Sequence, residues 1–283
     1  VAKRTRPQKK NKSKKQLFAS KGELLIHDVG DIEDFLKILV FSRGGIGKTT
    51  FGASAAKLMG LKTLIIDFNE QGTISVKQHP NTKVARVEFW EELDYVYWYL
   101  KTKKHDFKVV VLDTVSSMAV LGMKWVLGDE VSRDGSADPL MPDKRHWGKL
   151  GELMKTQIWN FRNLGLHVVF TAHERTSVEE DEDENLLVEV VPSLSPAPRE
   201  TLIGAVHVVG RLYTRPVSVK DKKTGKVKKK MERRMLIGPD DKYTSKIRID
   251  PSLPVQPPRI IRNPTLPYFI NTILPILDTS GEE

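Results

Sequence analysis

Short apolar runs, each closing on a polar or acidic residue, punctuate this chain and set its frame. Leu36-Lys37-Ile38-Leu39-Val40-Phe41 is brief, apolar and β-favouring, which reads as a buried strand. It leads straight into Ser42-Arg43-Gly44-Gly45-Ile46-Gly47-Lys48-Thr49-Thr50. Residues 51–59 are Ala-rich and helix-favouring, Gly60 supplies a helix stop, and Lys62-Thr63-Leu64-Ile65-Ile66-Asp67 is a second apolar strand ending on a carboxylate. Residues 84–89 suit a short strand, and residues 90–103 a helix with Leu93, Val96 and Leu100 on one face and aromatics that read as core. Phe107-Lys108-Val109-Val110-Val111-Leu112-Asp113-Thr114 is a third buried strand, with an acid at the carboxyl end where open α/β sheets bind ligands. A polar, Gly- and Pro-containing insertion over 128–144 precedes a helix over 146–163, and His167-Val168-Val169-Phe170-Thr171-Ala172-His173 forms a fourth strand. Strands alternating with helices imply an α/β fold whose sheet is mainly parallel and flanked by helices.

Beyond Arg175 the pattern changes to a hairpin-like acidic segment, a Pro-rich turn at 192–198, a short helix, and strand patterns around 208–219 and 231–237. These read as a β-rich extension, from about residue 176, of one domain spanning 23–249. A basic arm over 1–22 precedes it and a Pro-rich segment over 250–283 follows. Composition then narrows the class. Of 283 residues 39% are hydrophobic and 29% charged, as in soluble globular proteins, and no apolar run approaches the roughly 20 residues that a bilayer span needs. No membrane partner is therefore expected. The amino terminus carries charge without an apolar h-region, so no secretory signal is expected, and the absence of cysteine excludes disulfides and fits a reducing cytoplasm. The net charge of +10 is concentrated in residues 1–21, where Lys3, Arg4, Arg6, Lys9, Lys10, Lys12, Lys14, Lys15 and Lys21 stand without an acid. Such a run buries too little to offset its chain entropy, so a disordered arm with a polyanionic partner is expected. A second basic block covers 220–234, and an acidic run covers 179–184.

The chemistry sits between the first strand and the first helix. The loop reads S-x-x-x-x-G-K-T, with Ser42 where the first glycine of G-x-x-x-x-G-K-[ST] belongs. Gly44, Gly45 and Gly47 let the backbone curl so that its N–H groups face phosphate oxygens, and Ser42, Arg43, Ile46 and Thr50 complete the nucleotide-binding loop. Lys48 is placed to reach the β- and γ-phosphates of ATP, and Thr49 to offer its hydroxyl to Mg²⁺. Asp113 takes the Walker B position, binding Mg²⁺ through water. Thr114 follows it, where many P-loop ATPases carry a catalytic glutamate, so the water-activating base comes from elsewhere. Glu70 is the first candidate and Asp67 the next, and spacing does not choose between them. His173, closing the fourth strand, reads either as a sensor of the γ-phosphate or of a bound strand, or as a satisfied structural histidine.

Two family resemblances follow from these residues. Arg43-Gly44-Gly45-Ile46-Gly47-Lys48-Thr49-Thr50, with Leu64-Ile65-Ile66-Asp67-Phe68-Asn69-Glu70-Gln71-Gly72, resembles ParA-type partition ATPases. Arg43 stands in place of their signature lysine, and Asn69-Glu70 in place of their Asp-Pro pair. Val111 through Ser117, His146-Trp147-Gly148, His167 through Glu174, Pro192-Ser193-Leu194 and Val209-Gly210-Arg211-Leu212-Tyr213 resemble, in order and spacing, the phage-encoded RecA-like nucleotide-binding proteins that include the Sak-group single-strand annealing ATPases. That resemblance covers roughly residues 36–249. It implies a RecA-like P-loop core, ATP hydrolysis with Glu70 or Asp67 as the catalytic carboxylate, binding of single-stranded DNA, a role in phage recombination or annealing, and work as a homo-oligomeric ring or filament in the host cytoplasm. It also implies that residues 121–144 and 176–191 lie near the DNA-facing surface. Trp125, Trp147 and Tyr213 are the aromatics available for stacking. The rival readings are a ParA-like positioning ATPase and a nucleotide-gated switch with little turnover.

Overall fold

The computed structural model describes residues 35–133, 138, 141–180, 186–220, 227–249, 251 and 256–274; the basic arm expected over 1–22 lies outside them. Among the described residues the apolar runs form the centre of a ten-stranded sheet. β1 (Lys37–Ser42), β2 (Thr63–Asp67), β4 (Val109–Asp113) and the inner half of β5 (His167–Glu180) are buried along their length because helices cover both faces, which is why their sequences do not alternate. With β3 (Thr82–Arg86) and β7 (Val208–Lys220) they run parallel in the order β7-β1-β5-β4-β2-β3. Lys37, the one charge in β1, is buried and donates from Nζ to the carbonyls of Leu164 (2.8 Å) and Leu166 (2.5 Å). Leu36 and Lys37 donate their backbone N–H groups to Nδ1 of His167 (3.0 Å) and of His207 (3.2 Å).

β5 and β7 both outrun the parallel sheet. Beyond His173, β5 turns antiparallel against β6 (Leu186–Pro192), and beyond Arg211, β7 pairs with β8 (Val227–Leu236). The segment read as a β-rich extension thus begins inside the core, since β7 is the immediate parallel neighbour of β1. β9 (Lys246–Ile247) and β10 (Ile260–Arg262) add short antiparallel pairings to β7 and β8.

One face of the sheet is covered by α3 (Trp90–Thr102), α4 (Val115–Arg133), α5 (Lys144–Arg162) and α6 (Pro196–Ala205). The other is covered by α1 (Lys48–Gly52), α2 (Ser54–Met59) and α7 (Leu266–Ile273). Residues 51–59, expected as one helix, belong to two that break at Ala53. The insertion expected from residue 128 starts later, because α4 runs on to Arg133. The aromatics of α3, expected in the core, divide: Trp90 is buried and Tyr97 packs on Phe161, whereas Tyr95, Trp98 and Tyr99 are exposed. A helix lying on a sheet buries a single stripe, here Trp90, Leu93 and Leu100, and the remaining positions face outward whatever they carry. In the Pro-rich carboxyl region, α7 tolerates Pro267 in its first turn, where the N–H is unpaired anyway. Phe269 meets Phe51 edge-on at 5.8 Å, and Leu266 N–H donates to Ser54 Oγ at 2.8 Å, so α7 braces the helices behind the glycine loop. No described helix is long and apolar enough to cross a membrane.

Candidate active site

The loop between β1 and α1 is shaped by the strand that enters it. Ser42 is the last residue of β1, fully buried and in register with His173, so strand backbone rather than a turn occupies the position where the motif expects glycine. The turn falls further on. Gly47 has φ 103°, a conformation that a side chain disfavours, and it precedes α1 without any side-chain cap, so the first N–H groups of that helix are left for a ligand. Ile46 anchors the loop by packing on the core beneath α1. Lys48 is buried and curls back over the loop, with Nζ 3.3 Å from the Arg43 carbonyl, 3.5 Å from that of Ser42 and 3.5 Å from His173 Nδ1. Burial lowers its pKa below the ordinary lysine value, and the charges of Asp113, Glu70 and Glu174 oppose that fall.

Asp113, at the end of β4, is gripped on both oxygens: Thr49 Oγ1 donates to Oδ2 and Thr171 Oγ1 to Oδ1, each at 2.6 Å. With its proton committed to Asp113, the Thr49 hydroxyl keeps its lone pairs for a cation. Burial raises the pKa of Asp113 and Glu70 adds to the rise, against the hydrogen bonds from Thr171 and Thr49 and the charge of Lys48. A bound cation would restore the charged form. Space for it is kept by Gly72, where a Cβ would stand 2.7 Å from Thr49 Oγ1 and 3.2 Å from Asp113 Oδ2. Among the described residues no group of three or more His, Asp or Glu could hold a metal alone. The donor set of one hydroxyl and one carboxylate fits Mg²⁺, which retains waters and takes phosphate oxygens.

Glu70 closes the opposite side. Its Oε1 accepts hydrogen bonds from Thr114 Oγ1 (3.1 Å), Ser117 Oγ and His173 Nε2 (3.0 Å). Burial pushes the carboxyl up, but the bonds from Ser117, His173 and Thr114 and the charge of His173 outweigh it, holding the pKa below the usual glutamate value. In the neutral tautomer that donates Nε2–H to Glu70, His173 Nδ1 can accept from Lys48. Glu70, His173, Lys48, Thr49, Asp113 and Thr114 thus share the lining of one cavity of about 310 Å³. Asp67 does not join them: it lines a separate hollow with Gln71, Lys77 and Arg86, and its Oδ1 accepts the Glu70 N–H at 2.9 Å.

Arg43 leaves the loop sideways. Its Nε meets Glu174 Oε1 at 3.0 Å, and the same buried carboxylate accepts from Arg211 at 3.0 and 3.4 Å. Arg211 in turn lies 4.1 Å over the Tyr243 ring. Sequence reasoning passed over Ser117, Thr171, Gly72 and Glu174. Thr171 did carry a signal: a hydroxyl within an otherwise apolar buried strand needs a partner.

A family model described as an AAA domain matches residues 34–249. This chain is an AAA-domain protein. The matched span contains the glycine loop, Asp113, Glu70 and both long hairpins, and the AAA domain is a P-loop ATPase, here of α/β fold with a mostly parallel sheet and antiparallel carboxyl-terminal strands. Comparison with curated proteins gives no match. Among solved structures, one titled "Crystal structure of the RadB recombinase" matches this AAA domain with a TM-score of 0.38 and 15% identity, covering 71% of this chain and 79% of that one.

Proposed function

We propose that this AAA domain binds Mg-ATP at the Lys48–Thr49 loop, hydrolyses it with Glu70 as the base, and couples turnover to binding of single-stranded DNA as an oligomer, in recombination or annealing of the phage type. The observation that carries the hydrolytic part is the convergence of Lys48, Thr49, Asp113 and an ionised, triply hydrogen-bonded Glu70 on one cavity. Lys48 neutralises the β- and γ-phosphates, and Thr49 with Asp113 would hold Mg²⁺, which would supply further neutralisation of the phosphate charge. Glu70 accepts a proton from the attacking water as the new P–O bond forms, and the bond from γ-phosphorus to the β–γ bridging oxygen breaks to release ADP. His173 links Glu70 to Lys48, which supports its reading as the γ-phosphate sensor.

Support for the DNA part is electrostatic. Lys229, Lys230 and Arg215 are exposed on the β7–β8 hairpin, and the basic sequence of residues 1–21 adds further cations for phosphate contacts. The outward Tyr95, Trp98 and Tyr99 of α3 form an aromatic surface of the kind that copies of a chain cover. Arg43 is held by its own chain's Glu174, which favours the RecA-like reading over a partition ATPase whose signature residue reaches a neighbour. ATPase rate measured with and without oligonucleotides tests the reading. Stimulation by single strands and not by duplex supports it; stimulation by duplex alone replaces it with the partition reading. Removal of residues 1–21 should weaken DNA binding and flatten its dependence on salt.

A further inference from the structure

Arg233 takes no part in the chemistry described so far, and its position makes it the most informative cation of the basic block. Side chains alternate across β8, so Glu232 and Arg234 share one face, where they pair at 2.7 Å. Met231, Arg233 and Met235 share the other. Met235 is fully buried in the cluster that contains Phe51 of α1, so this face of β8 lies over the helix that follows the glycine loop. Two residues nearer the hairpin, Arg233 reaches the loop itself: a Cβ built on Gly47 would stand 2.7 Å from Arg233 Nη1, 3.6 Å from Cδ and 3.7 Å from Cζ. The strand is pinned there by Asn263, whose N–H donates to the Arg233 carbonyl at 2.7 Å, and by pairing with Thr214.

The surroundings leave this guanidinium uncommitted. Arg43 and Arg211 share Glu174, and Arg234 has Glu232. Among the described residues no carboxylate or other acceptor bonds the Arg233 side chain. A planar fork of donors without an acceptor, laid against a loop whose own N–H groups are unpaired, presents matched donors to an anion. Glu70, His173 and Gly72 mark the hydrolytic end of the cavity, whereas Gly47 belongs to the backbone cradle for the phosphates nearer the nucleoside.

We propose that Arg233 is a nucleotide-binding residue acting within its own chain, its guanidinium contacting the α- and β-phosphates beside Gly47. The proposal rests on the loop's being the ATP site. Because this contact is the same in the ground and transition states, Arg233 governs affinity and not the chemical step. It also ties the β7–β8 hairpin to occupancy of the loop, since the residue that grips the phosphates is part of the strand that carries Lys229 and Lys230.

The test is calorimetric titration of the full chain with Mg-ADP and Mg-ATP, together with steady-state ATPase kinetics. Arg233→Ala should weaken both nucleotides by roughly ten- to a hundred-fold, the range for lost charge-assisted hydrogen bonds, and raise KM equally while kcat stays within about threefold. Arg233→Lys keeps the charge without the fork and should recover part of the loss. In the wild-type chain, Mg-ADP should protect Arg233 from phenylglyoxal modification, read by mass spectrometry, a result that does not depend on any variant folding. Unchanged affinity, absence of protection, or a fall in kcat with ADP affinity intact would overturn the assignment. Recovery of the wild-type KM in a mixture of Lys48→Ala and Arg233→Ala chains would overturn its action in cis. Lys48→Ala is the control for the underlying reading: wild-type nucleotide affinity in that variant removes the ATP site, whereas loss in Lys48→Ala with retention in Arg233→Ala removes only the role of Arg233.

Discussion

Replacing Glu70 by Gln isolates proton acceptance from everything else this side chain does. All three of its side-chain hydrogen bonds converge on Oε1, from Thr114, Ser117 and His173, and a glutamine amide oxygen accepts the same three. The amide therefore keeps its orientation, and Mg-ATP affinity should stay within about threefold of wild type. What it loses is basicity. General-base catalysis is worth about 10² to 10⁴ in rate, or about 3 to 5 kcal/mol of barrier, so kcat should fall by that factor while KM holds. The hydrogen bonds also set the acid limb. Burial pushes the Glu70 carboxyl up, Ser117, His173 and Thr114 pull it further down, and the net pKa lies below the glutamate value of 4.5. The base form therefore persists through neutral pH, activity is lost only as pH falls through that lowered value, and the variant lacks this limb. Phosphate release under single-turnover conditions, followed across pH with binding measured separately, reads both quantities. A Glu70→Gln enzyme within tenfold of wild-type kcat, or one that keeps the acid limb, refutes the assignment. Asp67→Asn is the companion: its oxygen still accepts the Glu70 N–H, so most activity should remain.

Gly72→Ala places a methyl 2.7 Å from Thr49 Oγ1, so the advantage that Mg²⁺ gives to ADP binding should shrink by roughly tenfold or more; equal Mg²⁺ dependence in calorimetry would contradict this. His167 carries a stability prediction. Burial first, then Lys37 and Lys108, lower its pKa from 6.5 to about 4, and its Nδ1 accepts the Leu36 N–H. The unfolded chain thus takes up the proton first, and stability falls as pH drops from about 6.5 to about 4, by about 3 kcal/mol at about 1.4 kcal/mol for each pH unit. In His167→Gln that increment should vanish from denaturant titrations at the two pH values. Phe269→Ala removes a fully buried ring from the bracing of Phe51 and should cost about 3 to 5 kcal/mol in the same titrations, with looser nucleotide binding.

The parallel core was legible because each of its elements is local. Residues 38–41 and 109–112 are continuous apolar runs, and the glycine loop follows the first of them, so Lys48, Thr49 and Asp113 could be singled out as candidates from their neighbours in sequence. That Glu70 and not Asp67 lines the cavity with Lys48 was not legible, because it depends on which way two residues three positions apart face after β2 ends. Ser117 and Thr171 were missed for a related reason: their partners stand 47 and 58 positions away, across strands whose register the sequence does not state. The full length of α4 escaped notice because it packs on both α3 and α5, and burial on more than one side erases the polar stripe that announces a surface helix. The outward aromatics of α3 misled in the opposite direction, since side-chain chemistry alone does not reveal which face of a helix meets the sheet.

The bracing of the glycine loop has a consequence for biosynthesis. The hydrogen bond from Leu266 to Ser54 joins positions 212 residues apart, and Phe269 and Met235 complete the wall behind Phe51. A ribosome delivers the loop early and its backing late. For most of translation the nascent polypeptide therefore carries the phosphate-binding sequence without the packing that holds it in shape. Nucleotide capture is thus expected only of the folded domain, once α7 has docked.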